Sequence, residues 1–116
     1  MTNDFDGLRT AALAVASSYD ELSARTTGRP WTNQEFALGL MGDVGDLAKI
    51  VMTLEGTRRI DGIELRDLEH ELCDVMWSCL VLANRYGLDL GEAFPRQMTD
   101  LLRHIESITP NMSGTP

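Results

Sequence analysis

The chain reads as an all-α protein, a four- to five-helix bundle completed by oligomerisation, and three observations carry that reading. Apolar residues recur at steps of three and four in four separate segments, the spacing that gathers them on one face of a helix. Capping residues at the starts and glycine or proline at the breaks punctuate those segments. No strand-like alternation appears, and the only internal echo is between two acidic segments in the middle of the chain.

The first helix is predicted over Phe5 to Ala24, capped by Asn3 or Asp4, with Leu8, Ala11, Ala12, Val15, Tyr19 and Leu22 on its apolar face. Small residues between Ala11 and Ser18 suit close packing. The stretch TTGRP, Thr26 to Pro30, breaks the helix, because glycine and proline mark a turn and proline pushes its predecessor toward extended geometry. Thr32, with Glu35 three residues on, forms a capping box for the second helix, Asn33 to Leu54, whose core stripe reads Leu40, Val44, Leu47, Val51 and Leu54. Gly39, Gly42 and Gly45 fall inside that helix, and each should cost roughly 1 kcal/mol relative to alanine. Close approach of a neighbouring helix, or room for a ligand, would explain them.

Gly56 ends the second helix and TRRIDG, with Arg58 and Arg59, connects to the third. That helix runs from about Ile63 to Arg85 or Tyr86 and stops at Gly87, a natural left-handed C-terminal residue. Its apolar arc is predicted as Leu65, Leu68, Leu72, Val75, Met76, Cys79 and Ala83. Asp89 and Glu92 form a second capping box for a fourth helix in which Pro95 bends the chain or delays the start. Met98, Leu101, Leu102 and Ile105 give that helix its apolar side. The domain is predicted over residues 1–108, with a small, polar, mobile tail over 109–116.

The second and third helices each carry two carboxylates three residues apart, Asp43 with Asp46 and Glu71 with Asp74. Residues so spaced project from neighbouring points of one helical face. Asp43 falls at the margin of the apolar stripe, and Glu71 lies beside Val75 and Leu82 in a polar row of Glu64, Asp67, Glu71, Asp74 and Ser78. Carboxylates close to an apolar seam are costly unless a cation or a donor satisfies them. Two such ledges facing each other make a cage for a hard cation.

With 116 residues the chain makes one domain, close to the size at which association adds useful stability. Its formal charge of -8 argues against nucleic acid or an anionic membrane as the partner. No apolar run is long enough to span a bilayer and MTNDFDGLRT lacks the basic n-region of a leader, so the expected location is cytoplasmic. Cys73 and Cys79 read as reduced packing residues, since their spacing suits neither a disulfide nor a metal pair. His70 and His104 stand alone in the sequence and read as surface or packing residues. GLMGDVG is not a phosphate loop, having neither the dinucleotide-binding spacing nor a lysine.

The two acidic segments, LGLMGDVGDLAKI at Leu38 to Ile50 and LEHELCDVMWSCLVLANRYGLDLGEAF at Leu68 to Phe94, resemble the LxxExGELxE-type helix and the ELxDVxxYxxxLAxxxGxDLxxAF-type region of the MazG-like, dCTP pyrophosphatase-like members of the all-α nucleoside triphosphate pyrophosphohydrolase superfamily. The ExxE, spacer, ExxD arrangement of that family stands here as Asp43-xx-Asp46, 24 intervening residues, and Glu71-xx-Asp74. The likeness covers about Trp31 to Phe94.

The resemblance implies a helical bundle, dimeric or tetrameric, that hydrolyses a nucleoside or deoxynucleoside triphosphate to the monophosphate and pyrophosphate, with a role in nucleotide-pool housecleaning. It assigns Asp43, Asp46, Glu71 and Asp74 both the metal and the catalysis. Oxygen ligands suit Mg²⁺, which retains waters and binds substrate phosphates, with Mn²⁺ as a substitute. Asp46 or Asp43 is the favoured proton acceptor. Candidate substrate-binding residues are Trp31 and Phe36, for the base, with Lys49, Ser78, Arg96 and Arg103; Trp77 is a further aromatic candidate. The chain departs from the family in having Asp/Asp for the common Glu/Glu, which shortens each ligand by a methylene. It also has Gln97-Met98, Leu101 and His104 where many members carry Lys-Met, then Asn and Arg to hold phosphates. That departure motivates, as an alternative, a catalytically silent helical dimer that binds nucleotide or a protein partner; an enzyme like phosphoribosyl-ATP pyrophosphohydrolase, a relative with similar metal ligands, is a third reading.

Overall fold

Four helices form where the caps and breaks of the sequence put them: α1 (Phe5–Thr26), α2 (Asn33–Leu54), α3 (Leu65–Arg85) and α4 (Leu90–Ile108). The structure, a computed structural model, describes residues 4–59 and 61–108. Asn3, the tail over 109–116 and Ile60 in the α2 to α3 connection lie outside the described residues. No strand occurs among the described residues, and none of their helices is long and apolar enough to cross a membrane.

Asp4 caps α1 by accepting from the Gly7 amide at 2.7 Å. At the start of α2 the capping box is complete: Thr32 Oγ1 accepts from the Glu35 amide at 3.1 Å and Glu35 accepts from the Thr32 amide at 2.9 Å. α3 starts two residues later than the apolar pattern suggests. Glu64 is its cap residue, and Asp67 accepts from the Glu64 amide at 2.7 Å. Asp89 accepts from the amides of Gly91 and Glu92 at the start of α4, while the Glu92 carboxylate pairs with Arg96 at 3.5 Å instead of reaching back to close a box. α4 continues through Pro95 as a single helix.

α2 and α3 are the central pair. Asn33, at the start of α2, accepts from Arg85, at the end of α3, at 3.1 Å, and Asp43 and Asp46 meet Glu71 further along. The two helices are therefore antiparallel. α1 lies against α3, fixed by the Trp77 indole donating to the Ala12 carbonyl at 3.0 Å and by the Tyr19 ring 5.8 Å from that indole. α4 meets α1 where Gly91 faces Phe5: a Cβ on Gly91 would stand 2.7 Å from the Phe5 ring, so only glycine allows that approach. Arg9 reaches Asp89 at 3.3 Å beside it.

The helices face different ways from those the apolar stripes predict. On α2 the inward row is Phe36, Leu40, Asp43, Leu47, Ile50 and Leu54, while Val44 and Val51 are exposed. Asp43 thus belongs to the inward row and not to its margin. On α3 the polar row turns inward, with Ser78 buried and Glu71 and Asp74 half-buried, and Leu65, Leu72, Met76 and Cys79 of the predicted arc are left exposed. Gly42 and Gly45 have nothing within 4 Å of a would-be Cβ, and Gly39 is approached by the Trp31 ring instead of a helix. The close helix contact expected of these glycines is not made within the chain.

The core is consequently thin. Ala12, Phe36, Leu80, Val81 and Ala83 are the buried apolar side chains among the described residues. The radius of gyration is 18.8 Å, against about 13 Å for a compact domain of this length. The single chain is an elongated body of 68 × 40 × 31 Å.

Candidate metal and nucleotide site

The site is built where α2 and α3 cross-face each other near their middles. Asp43, Asp46 and Glu71 each bring a carboxylate oxygen within 4.8 Å of the others. Asp43 and Glu71 are half-buried and Asp46 is exposed. The buried Oε2 of Glu71 has no hydrogen-bond partner among the described residues. An anionic oxygen shielded from water without a donor is costly, and three carboxylates at this spacing repel one another.

Asp74 stands beside the three without joining them. Its carboxylate pairs with His70 Nε2 at 3.2 Å, one turn back on α3, so His70 does not stand alone: it has the i,i+4 partner that helical spacing offers. Burial, then the charges of Asp74 and Asp46, raise Asp43 above the usual carboxylate range, with His70 opposing. Glu71 is raised in the same way, by burial first and then by Asp74, Asp43 and Asp46, again against His70.

A carboxyl raised on folding binds protons more readily in the folded than in the unfolded chain, so its contribution to stability falls as pH rises from the ordinary range through the raised value. A divalent cation among the three acids offsets that loss. Adding Mg²⁺ should therefore raise the calorimetric unfolding midpoint at about pH 8, and the increment should shrink toward about pH 5 as Asp43 and Glu71 take up protons. An increment that is the same at both pH values would show that the cation does not act through these groups.

A cavity of about 680 Å³ opens beside the acids, with Asp43 and Asp74 in its lining. That is within the range of small-molecule sites. Its walls are aromatic: Trp31 and Phe36 lie 5.5 Å apart edge to face, and Phe36 and Trp77 5.5 Å apart at a tilt. The TTGRP break holds Trp31 at the rim. Arg29 donates to Glu35 at 2.6 Å, and that bond, followed by the Thr32 amide, holds the Glu35 carboxyl at about 2. Arg85 donates to the Trp31 carbonyl at 2.6 Å, with its guanidinium 4.5 Å above the Phe36 ring.

Of the residues assigned from sequence, Trp31, Phe36, Trp77 and Ser78 line this cavity, Ser78 and Phe36 being buried. Lys49, Arg96 and Arg103 do not line it; all three are exposed, and Arg96 is paired with Glu92. Arg58 and Arg59 are exposed as well. Asp20 and Ser23 of α1 are not singled out by the sequence and Tyr19 stands there only as part of the α1 apolar face, yet all three line the cavity. Their spacing of one and four residues, at the edge of the α1 stripe, was the available signal. Comparison with known proteins finds no matching family model, no matching curated protein and no matching solved structure.

Proposed function

We propose that this chain is a divalent-cation-dependent nucleoside triphosphate pyrophosphohydrolase of the MazG-like kind. The observation that carries the reading is the unpartnered, buried Glu71 oxygen within a cluster of three acids that adjoins an aromatic-walled cavity. Asp43, Asp46 and Glu71 would hold Mg²⁺ or Mn²⁺, since oxygen-only donors suit hard cations. When bound, the cation supplies positive charge to a triphosphate that an otherwise acidic chain would repel, and acidifies water.

The protein's own groups do the rest. Asp46 or Asp43, through a carboxylate oxygen that the cation leaves free, would take the proton of the attacking water. His70 holds the Asp74 carboxylate at the edge of the cluster, where burial first and then the Asp74 charge raise Asp43 and Glu71. Trp31, Phe36 and Trp77 offer faces and edges to a base and exclude water from one side of it. Pyrophosphate release from a panel of nucleoside and deoxynucleoside triphosphates, with and without Mg²⁺, tests the reading. Release that requires the cation is expected; no release from any member of the panel would refute it, and binding without turnover would favour the silent nucleotide-binding alternative.

The working unit would be a dimer or a dimer of dimers. Leu72 and Met76 on α3 and Phe94 and Leu102 on α4 are all exposed in the single chain, and large apolar side chains gain by being covered. A second copy of the chain is the simplest cover, because symmetric self-association needs no other component. Light scattering at micromolar concentration should give at least twice the chain mass, and Met76→Glu should lower it; a monomer mass for the unaltered protein would rule this out.

A further inference from the structure

The cavity has a support behind it that the pyrophosphohydrolase reading leaves unused. Arg85, at the end of α3, does not line the cavity, and its side chain is only 22% exposed. Its Nη1 donates to the Trp31 carbonyl at 2.6 Å and to Asn33 Oδ1 at 3.1 Å, its Nη2 lies 3.8 Å from Asp20 Oδ1, and its Cζ stands 4.5 Å from the centre of the Phe36 ring. Trp31, Phe36 and Asp20 all line the cavity, and they belong to the α1 to α2 connection, to α2 and to α1. One guanidinium thus reaches walls from three parts of the chain. A planar fork of donors can do this, whereas an ammonium on a flexible stem does not hold the same geometry.

Trp31 depends on it most. The rest of the connection is bonded locally, Thr27 to Ser23, and Arg29 and Thr32 to Glu35. Among the described residues the Arg85 bond is therefore what fixes the Trp31 backbone to α3. The indole is 48% exposed and leans on Gly39, where a Cβ would stand 3.2 Å from Cζ3 of the ring. The bare backbone at Gly39 is the seat that lets the indole lie close to α2.

We infer that Arg85 and Gly39 are positioning residues of the site: Arg85 anchors the Trp31 backbone, Gly39 seats its ring, and together they fix the outer wall on which a bound ring stacks. Arg85 acts through Trp31 and does not itself meet the ligand. The inference rests on the proposed function for the identity of that ring as a nucleobase; the anchoring itself does not depend on it.

Fluorinated tryptophan incorporated into the full-length protein gives one fluorine resonance for each of the two tryptophans, and Trp31→Phe identifies which belongs to Trp31. Arg85→Lys keeps the charge and loses the fork; it should move the Trp31 resonance toward that of a solvent-exposed indole and leave Trp77 nearly still. Gly39→Ala keeps Arg85 and favours the helix, yet its methyl should displace the ring and move the same resonance. When AMP, CMP, GMP and UMP are titrated with Mg²⁺, both variants should bind the tightest of them about tenfold more weakly, the size of one base stacked on an aromatic ring. Where pyrophosphate is released, KM should rise by about the same factor with kcat within about twofold, a split that a general loss of stability does not produce. A Trp31 resonance that stays put in a folded variant removes that residue from the role. One that stays put in both, or in Gly39→Ala where Arg85→Lys does not fold, overturns the inference, as does a moved resonance with unchanged nucleotide affinity. If none of the nucleotides binds the unaltered protein while the variants still move Trp31, the anchor and the seat stand and the nucleotide reading falls.

Discussion

Replacing Glu71 by glutamine should separate catalysis from stability. The substitution keeps the shape of the side chain and removes a charge that the fold holds at a cost, because Glu71 is raised by burial and by three neighbouring carboxylates. Without added cation, the Glu71→Gln protein should melt a few degrees higher than the unaltered one at neutral pH. Its cation-dependent stabilisation should vanish, and pyrophosphate release should fall by at least about a hundredfold, since a neutral amide is a poor ligand for a hard cation. Asp43→Asn should behave alike, with a further loss if Asp43 is the proton acceptor. Calorimetry and a Mg²⁺ titration by heat of binding distinguish the cases. A glutamine variant that is less stable without cation, yet still binds Mg²⁺, would mean that Glu71 serves as a structural acceptor and is not a ligand of the cation.

The second large effect is expected at Phe36. Its ring is 4% exposed and touches Trp31, Trp77 and the Arg85 guanidinium at once. Phe36→Ala should cost about 3–4 kcal/mol by urea unfolding, from lost transfer energy plus the space left behind. In a protein with so few buried apolar side chains that is a large part of the total. The same change should blunt the tryptophan response to nucleotides, because Phe36 spaces the two indoles. A loss below about 1 kcal/mol would show that the ring is not the keystone of the α2 to α3 pair.

Much of the local structure was legible in the sequence, because local rules govern it. The Thr32 and Glu35 capping box, the Asp4 cap and the Asn33–Leu54 boundaries of α2 follow from residue types at short spacing, and the structure has them. The pairing of Asp43 and Asp46 with Glu71 was readable too, because it needs only two helices side by side. What was not legible is the rotation of each helix about its own axis. Leu72, Met76 and Cys79 mark the more apolar side of α3, and a periodicity argument sends that side inward; the structure sends Glu71, Asp74 and Ser78 inward instead. Periodicity identifies a face to be covered but does not say by what, so a face reserved for another molecule looks the same as a core. The α1 wall of the cavity was hidden for a related reason. Asp20 and Ser23 gain meaning only from Trp31 and Trp77, which are distant in sequence.

The meeting of Phe5 with Gly91 has a mechanical side. From Phe94 to Ile108 every residue of α4 is exposed, while its first turn is tied to α1 through that contact and through Arg9 and Asp89. A rod of 19 residues is about 28 Å long, so swivelling it by about 10° at the anchored end would carry its tip roughly 5 Å. A bulkier side chain at the fulcrum, as in Gly91→Val, would act as a wedge, redirecting the free end far more than its own size suggests.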